Sequence, residues 1–305
     1  MGGEGPERRL TRGRGAFGSA RHSALAPGRL SDWVVTAPFV LTVGVLLVGP
    51  AVNLVLDSLR SSSGFTLGNW ADIFRLALTR QAIVSSVLLS VLVASLSTVI
   101  GGLLAWCISR LGLRGRSLGV AAMNVAANMS ATTLVFGFTA AFGGAGFATL
   151  LLRQLWPAVP TLDLYGPTGL VFVYLYFHVP LFVLLTLPAM GAVSEQLWEA
   201  ATVCGAAPTL FWRRVGVPVL LPFLLAGWML MFAWAIGQYG VPLSLLGTSE
   251  AVPLMTLRIG ALIQTAGTTN RFERAACLSV LLVVLSVVAL WLYAAALRRA
   301  ARWVK

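Results

Sequence analysis

The chain has 305 residues, of which 58% are hydrophobic and only 10% charged, whereas about 25% of the residues in an average soluble domain are charged. This composition excludes an ordinary soluble domain and is typical of an integral membrane protein. The net charge of +12 lies at the two termini and in short segments between apolar runs, a placement that indicates membrane topology and not nucleic-acid binding.

Residues 1–30 are rich in Gly, Arg and Ser and contain almost no large apolar residues, so we predict a disordered basic tail. Residues 31–305 then form one domain. A helix needs roughly 20 residues at about 1.5 Å each to cross a hydrocarbon core about 30 Å thick, and six uncharged runs meet that requirement. They are Trp33–Leu56, Gln81–Ser109, Ser117–Leu152, Leu164–Ser194, Val215–Ser249 and Ala275–Leu297.

The third and fifth runs exceed one crossing but are too short for two crossings and a turn. We predict that each begins with one span and continues as an interfacial or re-entrant segment. The runs are apolar on every face, which a membrane barrel does not allow. The predicted fold is therefore an all-α, polytopic membrane helical bundle with six transmembrane helices.

Basic residues indicate the orientation of these spans. A cytoplasmic N-terminus places fifteen of the 22 lysines and arginines on the cytoplasmic side. By the positive-inside rule, both termini are predicted to be cytoplasmic.

Polar side chains inside the spans are candidates for a solute pathway, because they are costly in lipid and tend to face the bundle interior. Asn128 and Thr132 lie in the third run, and Tyr174 and His178 lie in the fourth. They either line a polar pathway or form interhelical hydrogen bonds that hold the bundle together. Both interpretations remain open from the sequence.

Catalytic and metal-binding patterns are missing from the sequence. The cysteines have no pairing or metal-ligand spacing, and the only other histidine is His22 in the tail, so we predict no metal site. A P-loop requires a Lys after its glycines, whereas Lys305 is the only lysine. We predict no catalytic residue and no P-loop ATPase activity in this chain.

The segment from residue 194 to residue 218 is polar and lies between the fourth and fifth spans, on the predicted cytoplasmic side. Its first half reads as a helix with Ser194 as N-cap and a narrow face of small side chains. Gly205 permits a sharp change of direction, and Pro208 suits the first turn of a second short helix that ends at Pro218. A helix, a hinge and a helix on this side suit docking against a soluble partner.

The letters "EAATVCGAAPTLFWRRVGVP" carry a family resemblance. They resemble the EAA loop of permease subunits of binding-protein-dependent ABC importers, whose pattern is E-A-A, three residues, G, nine residues, then I-x-L-P. Five residues match at this spacing: Glu199, Ala200, Ala201, Gly205 and Pro218. Val215 and Val217 replace the Ile and Leu. We call residues 194–218 the coupling loop.

The resemblance implies a type I importer permease in a bacterial cytoplasmic membrane. Its partners would be a second permease, identical or related, a cytoplasmic ABC ATPase dimer and an extracytoplasmic solute-binding protein. ATP and Mg²⁺ would bind to the ATPase, with no cofactor on this chain. Glu199 would supply a charged contact, Ala200 and Ala201 a close-packed face, and Gly205 the turn, with Pro208, Val215 and Pro218 in the same loop.

The stretch "WAIGQYGVPLSLLG" resembles the end of the fifth span in permeases for polyamines, ferric iron, thiamine and organophosphonates, where G-E-F-G is common. Gln238 replaces the acidic residue in this chain, and we add it to the candidate residues of the solute pathway. The expected solute is a small polar or charged molecule such as a polyamine, iron, a phosphonate or a sugar. The alternatives are an ATP-independent secondary transporter or channel, and a membrane scaffold without transport.

Overall fold

The computed structural model describes residues 30–61, 64–155, 163–247, 251–265 and 271–300. Except for Leu30, the predicted basic tail lies outside these residues. The helices are α1 (Leu30–Leu59), α2 (Gly68–Arg75), α3 (Ala77–Ser109), α4 (Leu113–Ala127), α5 (Ala131–Phe142), α6 (Phe147–Leu155), α7 (Pro167–Thr186), α8 (Glu195–Val203), α9 (Pro208–Phe211), α10 (Val217–Gly237), α11 (Gly240–Leu246), α12 (Met255–Gln264) and α13 (Arg271–Ala300). A 3₁₀ turn covers Pro188–Ala192, a π-helical turn covers Trp212–Gly216, and β1 (Arg60–Ser61) pairs antiparallel with β2 (Gly64–Phe65).

The chain divides into two compact units, residues 1–52 and residues 53–305. The described part of the first unit is the beginning of α1, which runs through Pro38 and Pro50 without interruption. Six helical segments of the described residues are long and apolar enough to cross a membrane: Ala37–Leu59, Ala77–Ser109, Ala131–Leu155, Pro167–Ala192, Pro208–Gly237 and Arg271–Ala296. The predicted all-α membrane fold with six spans is confirmed.

The third run differs from its prediction, because it does not begin with one unbroken span. Helix α4 ends at Ala127 and α5 begins at Ala131. The side chain of Asn128 donates to the carbonyl of Asn124 (2.8 Å), and that of Asn124 donates to the carbonyl of Val120 (2.9 Å). Such side-chain bonds compete with the helical ladder, and Ser130 continues in extended conformation. The run is therefore a broken helix, followed by a second break before α6.

The fifth run follows its prediction, with α10 as one long helix and α11 as a short segment after it. The side chain of Ser86 on α3 accepts a hydrogen bond from the N–H of Met255 (2.8 Å), which holds the first residue of α12. Arg274 of α13 forms an ion pair with Asp72 of α2 (2.8 Å). These contacts connect the short helices to the spans.

The spans pack through an aromatic residue enclosed by glycines. Phe182 of α7 is completely buried, and its ring lies against Gly101 of α3 and Gly227 of α10. A Cβ atom at Gly227 would lie 2.7 Å from the ring, and one at Gly101 would lie 2.9 Å from it. Without a hydrophobic drive between helices in lipid, such close packing is the main source of association. The two glycines therefore set the separation of α3, α7 and α10.

Replacing Gly101 with Ala is expected to destabilise the bundle by about 1–3 kcal/mol, because the new methyl overlaps Phe182 and approaches the carbonyl of Val179. Gly102→Ala is the matched control, since a Cβ there meets Leu224 at 3.6 Å and Phe182 at 3.9 Å, both ordinary van der Waals distances. The measurement is the unfolding midpoint of both variants in detergent. Equal midpoints would contradict the packing described for Phe182.

Candidate functional site

The first helix of the coupling loop, α8, ends in a glycine-dependent cap. Gly205 has φ +72°, in the left-handed region. Its N–H donates to the carbonyl of Thr202 (2.9 Å), and the N–H of Ala206 donates to the carbonyl of Ala201 (3.0 Å). This pair of bonds is a Schellman motif, in which glycine is preferred because it has no Cβ. The predicted change of direction therefore lies at Gly205.

The N-terminal cap of α8 differs from its prediction. Ser194 occupies the N-cap position with an extended backbone, but its hydroxyl forms no capping hydrogen bond. The helix begins where the prediction placed it, although the predicted side-chain cap is absent.

The outer surface of α8 carries the matched residues. Glu199 and Ala200 are exposed, and Ala201 is half-buried. Within the described residues Glu199 forms no ion pair. Three apolar side chains of the loop are also exposed: Leu197 and Val203 of α8, the latter at 87%, and Leu210 of α9. The loop thus presents a carboxylate among small and apolar side chains.

The inner side of the loop is fixed by aromatic residues. Trp198 of α8 meets the buried Phe211 of α9 edge-on, with ring centroids 4.9 Å apart. Trp212 follows directly and contacts Trp106 at the end of α3, with centroids 5.8 Å apart. These rings join α8 to α9 and to the bundle. The sequence prediction missed them, although three large aromatics within a short loop between two spans were an available signal.

The second half of the loop corrects the prediction of a separate helix ending at Pro218. Pro208 is the first residue of α9, as predicted, but α9 has only four residues. The π-helical turn then leads directly into α10, and Val215 lies within that turn. Pro218 has no N–H and lies in the first turn of α10, where no helical donor is required. The loop and the fifth span are therefore one continuous helical path.

The π turn depends on a glycine. A Cβ atom at Gly216 would lie 2.5 Å from the indole of Trp212, four residues earlier. The N–H of Val217 donates to the carbonyl of Trp212, which is the five-residue spacing of a π-helix. Any larger side chain at position 216 would displace the Trp212 ring.

Two of the predicted pathway residues are brought together in the core. Tyr174 and His178 are buried, and their rings stack with centroids 5.6 Å apart. Nδ1 of His178 lies 2.8 Å from the carbonyl of Tyr174, so this nitrogen carries the proton and donates. Nε2 of His178 is buried and has no hydrogen-bond partner in the described part of the chain.

Gln238 is connected to this pair through its backbone. Its carbonyl accepts hydrogen bonds from the hydroxyls of Tyr174 (3.4 Å) and Thr256 (3.2 Å), which fixes the junction of α10 and α11. Asn128 and Thr132 lie elsewhere, exposed on the two sides of the break between α4 and α5. The structure thus separates the pathway candidates into a buried group and an exposed pair.

No protein-family model matches the chain. Its sequence is 26% identical to the sulfate transport system permease protein CysW of Escherichia coli, over 85% of this chain and 86% of that protein. It is 25% identical to the spermidine/putrescine permease PotC of Haemophilus influenzae, over 84% and 96% of the two chains. It is 26% identical to the trehalose permease SugB of Mycobacterium tuberculosis, over 66% and 67%.

In fold, the chain is similar to the crystal structure of a bacterial ABC transporter involved in the import of the acidic polysaccharide alginate. The TM-score is 0.67 at 18% sequence identity, over 90% of this chain and 98% of that one. A second alginate transporter structure, in complex with an alginate-bound periplasmic protein, gives a TM-score of 0.63. The resemblance to importer permeases is confirmed by these similarities.

The cap at Gly205 leads to a prediction about local stability. Gly205→Val should cost about 1–2 kcal/mol, because a β-branched residue is strained at φ +72° although no atom lies within 4 Å of its new Cβ. We expect amide hydrogen exchange in residues 195–206 to become roughly tenfold faster.

Gly205→Asn is the matched control, since asparagine tolerates the left-handed region. It should exchange nearly as slowly as the wild type. Equal protection in the valine variant would contradict the cap.

Proposed function

We infer that this chain is a permease subunit of an ABC importer and that its coupling loop binds a cytoplasmic ATPase. The observation that carries the proposal is the geometry of the loop. It is an exposed helix whose inner side packs against a membrane span, and its Glu199 forms no ion pair within the described residues. Similarity in sequence and fold to importer permeases supports it. The chain itself would be the non-catalytic subunit, with ATP and Mg²⁺ bound by the ATPase.

The exposed surface of the loop suits a protein partner. Leu197, Val203 and Leu210 are exposed on the same loop as Glu199, a segment that we propose to be cytoplasmic because of the distribution of arginines. Apolar side chains grouped on an aqueous surface mark interaction sites. Glu199 adds a charge that specifies the partner and the orientation of docking.

Movement of the loop would be transmitted through packed aromatic rings. A displacement of α8 reaches Phe211 through Trp198, and Phe211 belongs to the helical path that continues as α10. Helix α10 is fastened to α3 and α7 around Phe182. Closure of the ATPase dimer on ATP would therefore rotate several spans together, a rigid-body change between inward-facing and outward-facing states. ATP biases that equilibrium by making different contacts in the two states.

The assembly we propose has a second permease subunit, identical or related, with the solute path between the two. An extracytoplasmic solute-binding protein would deliver the solute, in line with the alginate transporter whose structure includes a periplasmic protein. The location is a bacterial cytoplasmic membrane. Both termini would be cytoplasmic, on the evidence of the arginines.

The break between α4 and α5 supports a place for Asn128 and Thr132 on the solute path. Irregular backbone at membrane depth is tolerated where it is buried in protein or lines a water-filled cavity, and both side chains are exposed in the single chain. The other candidates would pack behind the residues that line the path: Tyr174, His178 and Gln238. The relatives are named for sulfate, trehalose and spermidine/putrescine, so we propose a small polar or charged solute without choosing among polyamine, iron, phosphonate or sugar.

Glu199→Arg should abolish copurification of an ATPase with the tagged chain from native membranes in mild detergent, because it reverses the only charge among these exposed residues. Glu199→Gln keeps the shape and removes the charge, so it should retain part of the ATPase. Mass spectrometry of the copurifying proteins is the measurement.

A folded wild-type preparation that brings down no ATPase would contradict the proposal. Solute uptake by the isolated chain under an ion gradient would then favour a secondary transporter.

A further inference from the structure

A cavity of about 240 Å³ lies between the end of α3, the 3₁₀ turn and the π turn of the coupling loop. Its polar and aromatic walls are formed by Trp106, Arg110, Arg116, Ser194 and Trp212. None of its described lining residues is acidic. We propose that this cavity binds the phosphate-bearing headgroup of an anionic phospholipid, and the proposal rests on the proposed function for the cytoplasmic orientation of this end.

The charges favour an anion. Arg110 and Arg116 form no ion pair with any described residue, and both guanidinium groups remain exposed beside the cavity. Arginine presents a planar set of donors that matches phosphate geometry. Ser194 also lines the cavity, and its hydroxyl does not cap α8. Basic pockets between helices at the cytoplasmic end of a membrane protein bind anionic headgroups.

The apolar surroundings favour a lipid over a soluble anion. Val99, Leu103 and Trp106 follow one another at helical spacing along α3 and are 60%, 61% and 38% exposed. They form a continuous apolar strip that leads from the span to the cavity. An acyl chain lying along this strip would bring its phosphate to Arg110. Tryptophan is also the residue enriched at headgroup depth.

A lipid in this position would act on the coupling loop. Trp212 forms a wall of the cavity, contacts Phe211 (5.9 Å between centroids), and is the residue on which the π turn is built. An occupied cavity would restrict the Trp212 ring and hold the π turn in its observed form. The anionic lipid content of the membrane would thereby influence how loop movement reaches α10.

The test compares lipid retention by the full-length chain, purified in mild detergent from membranes containing phosphatidylglycerol and phosphatidylcholine. Native mass spectrometry should show phosphatidylglycerol bound to the wild type, with retention roughly 30-fold lower in the double variant Arg110→Gln/Arg116→Gln. Arg114→Gln is the matched control, because this exposed arginine lies in the same basic segment but does not line the cavity. Equal retention in all three proteins, or an equal loss in the control, would overturn the proposal.

A second double variant controls for misfolding. Arg110→Lys/Arg116→Lys keeps both charges, so it should retain more phosphatidylglycerol than the glutamine pair, and equal loss from both would overturn the proposal.

Inorganic phosphate distinguishes a lipid headgroup from a soluble anion. Added without anionic lipid, it should not slow hydrogen exchange in residues 208–216. Protection equal to that by phosphatidylglycerol would overturn the lipid assignment. Lipid retention is measured on this chain and does not require an ATPase. The absence of an ATPase from the sample would therefore contradict only the proposed function.

Discussion

The enclosure of Phe182 by Gly101 and Gly227 is the packing constraint on which the arrangement of α3, α7 and α10 depends. Lipid supplies no hydrophobic drive between spans, so helices associate only where their surfaces approach closely. Each glycine removes the Cβ that would otherwise meet the ring, and Ala94 of α3 packs in the same buried cluster as Phe182 and Met231. The three helices are consequently packed as one unit around this ring.

A second set of rings connects that group to the coupling loop. Trp198, Phe211 and Trp212 form consecutive edge-on contacts between α8, α9 and the π turn, and Trp212 reaches Trp106 at the end of α3. The loop therefore has two unlike surfaces. Its outer side is exposed, whereas its inner side is packed through these aromatic rings.

Hydropathy predicted the six spans and the EAA pattern predicted the turn at Gly205, because both follow from local requirements: a fixed length of apolar helix and a backbone with positive φ. The break at Asn128 was not predictable, since an uncharged run does not reveal where a helix inside it ends. Nor was the π turn, which depends on Trp212 lying against Gly216. The partner of the Tyr174 hydroxyl, a carbonyl 64 residues away, is decided by tertiary structure alone.

The π turn also constrains the number of residues between Gly205 and Pro218. Each residue of an α-helix rotates the chain by about 100°, so the count fixes the angular phase of α10 relative to α8. Deleting one residue from Trp212–Gly216 would leave the loop and the span intact as helices but turn one against the other. Gly227 would then face away from Phe182 while the outer surface of the loop stayed unchanged. The spacing in the EAA pattern thus fixes the rotation of the outer surface of the loop relative to the face of α10 that packs against Phe182.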